Sequence, residues 1–388
     1  MKFDIVVIGG GLVGVSLLAA LKDSGLKLAL IESRSLASLP TDDSWDRRVY
    51  AISPGSVEFL QSCGAWQRMD TMRVTPVHEM RVYGDDGAAR IDFSAYESGV
   101  PELACITENR QLQHAVWGAS AEAGNVQIFC PVRHVSLAWH ESHVELTLSD
   151  GTVLQTALLI GADGANSRVR EQAGIAVDRH SYHQTGVVAN FEVERFHHHV
   201  AYQWFHRDGI LALLPLPGKR VSMVWSANTA LADELLTLSP EMLCERVTRM
   251  AEHALGRMRL ITPQLGFPLN FIQAKSLVQP RLVLIGDAAH GIHPLAGQGV
   301  NLGLRDAREL ANLLLQFEGV GDSGEFSLLR CYERNRKEDI LAMQWVTDGL
   351  QKLFGSEDAA IIRIRNLGLG ITNRFPLLKN RLMRHALS

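Results

Sequence analysis

Gly9-Gly10-Gly11-Leu12-Val13-Gly14 puts glycines at all three positions of a G-x-G-x-x-G turn. Such a turn suits a pyrophosphate. Gly9 permits the tight bend, and Gly11 lets backbone N–H groups approach phosphate oxygens. Gly14 lets the following helix pack closely on the preceding strand, with its positive dipole end toward the charge. Glu32 lies 18 residues beyond Gly14. A carboxylate there accepts hydrogen bonds from ribose hydroxyls and repels a 2′-phosphate, which points to NAD or FAD.

Two later segments carry further candidates. Asp163 and Arg170 lie within Gly161-Ala162-Asp163-Gly164-Ala165-Asn166-Ser167-Arg168-Val169-Arg170. Gly286-Asp287-Ala288-Ala289-His290 leads into Pro294-Leu295-Ala296-Gly297-Gln298-Gly299-Val300-Asn301. His290 and His293 are three apart, but no other His, Cys or carboxylate cluster joins them, so no metal is expected. A second G-x-G-x-x-G and a P-loop are both absent. No separate nicotinamide-binding domain is therefore expected.

The elements that must hold these residues follow from local pattern. Ile5–Ile8 and Leu28–Ile31 read as buried parallel strands around a small-residue helix over 12–24. The alternation from Val144 to Leu148, the turn Ser149-Asp150-Gly151 and the run Val153–Ile160 read as a hairpin. Further strands are predicted at 79–83, 186–193, 200–205, 210–214, 220–226 and 281–285, with a helix over 303–317. The last third reads as helical, with breaks at 319–324, 355, 368–370 and Pro376. His197-His198-His199 reads as a solvated turn. The simplest arrangement is an α/β fold: a Rossmann-like dinucleotide-binding domain interrupted by a mainly β substrate domain, with a helical C-terminus. Its expected boundaries are 1–75, 100–180 and 265–388 for the first domain, and 76–99 and 181–264 for the second.

Composition removes several classes of function. Lys and Arg number 38 against 42 Asp and Glu, a net charge of −4, which argues against a dedicated nucleic-acid binder. Five cysteines without a Cys-x-x-Cys pair argue against a disulfide framework or thiolate zinc site and fit a reducing compartment. The N-terminal residues are broken by Asp4 and Gly9–Gly11, unlike a signal peptide, so a cytoplasmic location is expected.

With all three glycine and aspartate signatures present in order, about 150 and 125 residues apart, the chain resembles the group A flavoprotein aromatic hydroxylases, the para-hydroxybenzoate hydroxylase-like family. The resemblance spans nearly the whole chain and implies FAD. In that family the aspartate matching Asp287 meets a ribityl hydroxyl. The turn matching Gly297-Gln298-Gly299, with Val300, lies at the flavin edge, and Asn301 and Pro294 shape that pocket together with His293. Arg48 matches an early arginine near the FAD ribose and pyrophosphate. Its neighbour Arg47 is equally basic, and alignment alone separates them. Arg110 and Gln113 match a second contact segment. Two readings of Asp163 stay open: service to FAD and NAD(P)H, or a structural ion pair with Arg170.

Within that family, Asp46-Arg47-Arg48-Val49-Tyr50-Ala51-Ile52-Ser53, Leu213-Leu214-Pro215-Leu216-Pro217-Gly218 and Gly286-Asp287-Ala288-Ala289-His290 are similar to the ubiquinone-biosynthesis hydroxylases. The resemblance implies hydroxylation of a polyprenylated phenol by O2, with NAD(P)H as a transient reductant and a flavin C4a-hydroperoxide as oxygen donor. No acid/base triad is nominated. Leu211–Pro217 with Trp204 and Trp225 are candidates for the ring pocket's floor, or for plain core. An oxidoreductase that inserts no oxygen and a non-catalytic flavoprotein scaffold are the alternatives. Residues 359–388 carry +6 against −10 for the rest of the chain, interspersed with Ile and Leu. Such a segment suits an anionic membrane surface, a partner in a ubiquinone-biosynthesis assembly, or a basic face packed on the main domain.

Overall fold

The computed structural model describes residues 1–84, 90–206, 209–293, 297–317, 319 and 321–355. Lys2–Ile8 sits inside an eight-stranded sheet, flanked by Leu28–Ile31 and Val153–Gly161. Val126–Phe129 and Leu282–Leu284 extend it on either side. All four of these junctions are parallel. Such strands are covered on both faces, which is why Leu28–Ile31 is buried at every position and reads as an unbroken apolar run.

Register brings the sequence motifs together. Ile8 pairs with Ile31 and with Gly161, and Gly161 pairs with Leu284. The three strands that precede the glycine turn, Asp163 and Asp287 therefore end side by side with the strand that precedes Glu32. Four segments spread over some 280 residues of chain leave one carboxyl edge of one sheet, where open α/β sheets bind their ligands.

The helix Leu12–Ala20 is apolar all round because three neighbours cover it. Besides the sheet, it packs on the helices Asn109–Ala121 and Gln298–Gln316. Its crossing with the latter is close: a Cβ on Gly303 would fall within 2.5 Å of Val13 Cγ2, so a larger residue would push the two helices apart.

A second sheet of nine strands is mostly antiparallel and centres on Val177–Val193, which pairs with Arg220–Asn228 and Leu265–Ala274. The expected strand over 186–193 is thus the second half of a 17-residue strand. Its first half is polar and largely exposed, so it carries no apolar signal. Two helices, Thr229–Thr237 and Pro240–Met250, also lie in this stretch and were not predicted. Both carry legible caps: Asn228 accepts from Leu231 N, and Ser239 accepts from Met242 N with Pro240 in the first turn.

These helices cover the sheet face bearing Val187, Phe191, Trp204, Leu211, Leu213 and Trp225, all buried in one cluster with Leu235 and Leu243. Trp204, Trp225, Leu211 and Leu213 are accordingly core, which decides between the two readings given for them. The opposite face, with Ala201, Leu214 and Leu216, packs toward Val77 and Ile106 on the three-stranded sheet that includes Val49–Ile52.

The histidine run is not a solvated turn throughout. His197 is 1% exposed, with Nε2 bonded to Leu216 O at 2.8 Å and Nδ1 accepting His199 N–H at 3.0 Å. Both ring nitrogens find backbone partners, which makes burial tolerable. Among the described residues no helix is long and apolar enough to cross a membrane. The breaks expected at 368–370 and 376 and the basic segment 359–388 lie outside the described residues.

Candidate functional site

The glycines of the first turn serve different ends. Gly9 has φ +116°, and a Cβ there would overlap the Ala162 carbonyl. A Cβ on Gly14 would overlap Gly9 O. Gly11 is different: its φ is an ordinary −71° and its Cβ would meet nothing within 4 Å. Among the described residues no side chain caps the helix it opens, which leaves its first N–H groups without a side-chain acceptor.

Gly10 is braced from two sides. Its N–H donates to Glu32 Oε2 at 2.6 Å, and its carbonyl accepts from Gln113 Nε2 at 3.2 Å and Trp117 Nε1 at 2.9 Å. Glu32 Oε1 accepts from Arg34 N at 2.8 Å. Glu32 therefore holds the turn, and Oε2 retains acceptor capacity for a hydroxyl. Trp117 was not singled out from sequence. The available signal was spacing, since Arg110, Gln113 and Trp117 fall on one face of the Asn109–Ala121 helix.

Arg110 does not stand free. It bonds Ser44 and pairs with Glu108 Oε1 at 2.9 Å. Glu108, fully buried, also binds Arg73 at 2.6 Å and Asp46 N at 2.5 Å. This knot fixes the 42–48 loop. It leaves Arg48 exposed, its guanidinium without a hydrogen bond or ion pair among the described residues.

Asp163 Oδ2 accepts the N–H groups of Arg168 at 2.7 Å and Val169 at 3.1 Å. Arg170 instead donates to Ala288 O at 2.7 Å and Ala165 O at 3.0 Å. The structural ion pair between them is not formed. Asp163 anchors the start of a short helix, and Arg170 ties that helix to the segment carrying Asp287.

Gly286 adopts φ +58° and turns Asp287 outward. Asp287 is exposed, yet enough protein surrounds it that burial raises its carboxyl above the ordinary value. That combination belongs to a side chain on the floor of a cleft. Gly297 caps the Gln298–Gln316 helix at φ +67° with no side-chain cap, and its Cβ would lie 3.3 Å from that of Ala51. A Cβ on Gly299 would meet nothing within 4 Å among the described residues. Asn301, 1% exposed, accepts Ser53 N–H at 2.9 Å and donates to Ala51 O at 2.8 Å, locking the Val49–Ile52 strand to the helix start. Val300 packs partly buried on the main core. Pro294 lies outside the described residues.

His293 bridges to the second sheet. Its Nε2 bonds Gln184 Oε1 at 2.7 Å, and its ring meets Tyr182 edge-on at 4.9 Å. Nδ1 is buried and has no hydrogen-bond partner among the described residues. Burial pulls the imidazole down to about 4, so it is neutral at pH 7.

Two uncapped helix starts, open space over Gly11 and Gly299, and an acceptor on a cleft floor between them fit an elongated ligand with phosphates in its middle and hydroxyls beside them. FAD has that form. Residues 2–346 match the model of the FAD binding domain family. The chain belongs to that family. It is 35% identical to the ubiquinone hydroxylase UbiL of Rhodospirillum rubrum, over 99% of this chain and 89% of that protein. It is 34% identical to the 3-demethoxyubiquinol 3-hydroxylase of Escherichia coli, over 99% and 98%. Against the human mitochondrial ubiquinone biosynthesis monooxygenase COQ6 the identity is 33%, over 99% and 92%. Among solved structures, Pseudomonas aeruginosa PqsL in complex with 2-aminobenzoylacetate superposes with a TM-score of 0.81 at 22% identity, covering 96% of this chain and all of that one. The p-nitrophenol 4-monooxygenase PnpA of Pseudomonas putida gives 0.79 at 17%, over 100% and 99%. Both share the fold of this FAD-binding chain.

Proposed function

We propose that this protein is an FAD- and NAD(P)H-dependent monooxygenase that hydroxylates the aromatic ring of a polyprenylated phenol in ubiquinone biosynthesis. What carries the reading is relatives named as ubiquinone hydroxylases or ubiquinone biosynthesis monooxygenases that are 33–35% identical along 99% of the chain. The flavin, when bound, supplies hydride acceptance and O2 activation. One oxygen atom enters the ring, the other leaves as water, and NAD(P)H provides the two electrons.

The protein's part is to bind, orient and exclude water. Residues 1–75, 100–180 and 265–388 would form the cofactor unit. Within it Gly9, Gly11, Gly14 and Arg48 would serve the pyrophosphate, with Glu32 at the adenosine ribose. Asp163 and Asp287 would face the rest of the cofactor, with Gly297, Gly299, Val300 and Asn301 at the ring edge. Arg110 and Gln113 would act through the 42–48 loop and Gly10. Residues 76–99 and 181–264 would cover the ring-binding space. Two sheets with separate cores support a division into two units, but with shifted bounds: Leu265–Ala274 pairs with Val177–Val193 in the second sheet, because backbone pairing and not composition places it there. The sheet face opposite Trp204 and Trp225, beyond the part that packs toward Val77 and Ile106, would border the substrate. Neutral His293, with Nδ1 free to accept, spans the two units and can hold a proton-donating group at their junction.

The test uses 18O2 and a prenylphenol. We expect one labelled oxygen in the product and substrate-stimulated NAD(P)H oxidation. Oxidised product without label would mean chemistry without oxygen insertion. No stimulation by any prenylphenol would leave a non-catalytic flavoprotein.

The basic, Ile- and Leu-bearing segment 359–388 is proposed to hold the protein at the inner face of an anionic membrane, near its lipid-tailed substrate. Deleting it should abolish cosedimentation with anionic liposomes while FAD binding persists. Liposome binding that survives the deletion, or is absent from the intact chain, would remove this role.

A further inference from the structure

Asp306 lies in the Gln298–Gln316 helix, fully buried, and its carboxylate ties two other segments to that helix. Oδ2 accepts Gly286 N–H at 2.9 Å and His290 Nε2 at 2.6 Å. Oδ1 accepts Arg336 Nε at 2.7 Å. Arg336, 5% exposed, comes from the C-terminal helix Phe326–Gly355. It also donates to Asp339 at 2.6 Å and to Leu302 O at 3.3 Å, while Arg305 binds the same Asp339 at 3.0 Å.

The bond to Gly286 N–H is the informative one. Gly286 stands in the left-handed region and immediately precedes Asp287, the acceptor on the cleft floor. A buried N–H left without an acceptor is costly, so the turn is held in this shape while an Asp306 oxygen faces it. Burial pushes the Asp306 carboxyl up, but His290 and Arg336 outweigh it and leave the group at about 2. Removing Arg336 would strand a buried charge, and its relief, by protonation or by rotation of the side chain, loosens Gly286.

We infer that Asp306 and Arg336 are positioning residues that hold the Gly286-Asp287 turn in its FAD-receiving shape, which makes the C-terminal helix part of the cofactor site. The inference rests on the reading that Asp287 faces FAD.

The test measures FAD affinity of apoprotein by flavin fluorescence quenching, beside apoprotein thermal unfolding. The double variant Asp306→Leu/Arg336→Met removes both charges together and so strands neither; its apoprotein should fold, with a midpoint lowered only by the loss of the acceptor for Gly286 N–H and His290. Its FAD Kd should rise on the order of 10–100-fold, as for partners that orient a ligating group. A folded double variant binding FAD within about threefold of wild type would overturn the proposal. If the double variant does not fold, Arg336→Lys decides. It keeps the charge but loses the guanidinium fork, and weaker FAD binding at an unchanged apoprotein midpoint supports the role. An unchanged Kd, whatever the midpoint, overturns it. Wild-type apoprotein that fails to take up FAD would instead refute the cofactor reading itself.

Discussion

Gly11→Asp protein should purify folded and colourless. The position has an ordinary φ of −71° and room for a side chain, since a Cβ meets nothing within 4 Å. The fold therefore loses little; an exposed change of this kind shifts stability by about 0.5 kcal/mol or less. The carboxylate would stand at the uncapped helix start, where the pyrophosphate is expected, and would replace attraction with repulsion. We expect FAD affinity to fall by at least about 100-fold, the roughly 2.7 kcal/mol of a lost charge-assisted contact. Gly14→Val serves as the contrast. Its Cβ would overlap Gly9 O, so this variant should fail to fold. Differential scanning calorimetry and visible absorbance measure the two properties independently. Gly11→Asp protein that stays yellow with full FAD occupancy would show that the turn does not hold the phosphates.

The second large effect is on stability against pH. Burial pulls His293 from 6.5 down to about 4, so between those values the unfolded chain binds more protons than the native one. Native stability from this group is complete above pH 6.5 and falls as pH drops toward 4. At pH 5 the loss is about 2 kcal/mol, and near pH 4 about 3 kcal/mol. His134 and His197 are also lowered by burial and add to the same slope. Asp306 acts in a lower window. Held down at about 2 against an ordinary 3.8, it contributes stability above 3.8 that is lost only as pH falls toward 2. Urea unfolding at pH 7.5 and pH 5 should show the difference, and His293→Asn should shrink it by about 2 kcal/mol. An equal pH difference in variant and wild type would mean His293 is not buried neutral.

Legibility in the sequence tracked how local each signal was. The strands Leu28–Ile31 and Glu79–Tyr83 were readable because their side chains alone announce burial or alternation. The first half of Val177–Val193 was not, because its partner Leu265–Ala274, and not its own composition, makes it a strand. The caps of Thr229–Thr237 and Pro240–Met250 were present in the sequence but were outweighed by the strands around them. His197 was misread because three consecutive histidines look solvated. Only the carbonyl of Leu216, brought in by a neighbouring strand, permits its burial.

By itself the sequence determined the chemistry on offer: glycines where a phosphate needs backbone, acids where hydroxyls need acceptors, and an order of motifs resembling one flavoprotein family. Those are properties of residue type and spacing, and a chain carries them whether folded or not. Which groups are free to meet a ligand was decided by tertiary structure alone. Arg48 is left open while Arg110 is consumed by Glu108 and Ser44. Asp163 accepts the first N–H groups of a helix where an ion pair was one of two readings, and Asp306, unremarkable in its helix, holds the turn that presents Asp287. Each outcome depends on partners tens to hundreds of residues away, and a side chain has only so many donors and acceptors to divide among them.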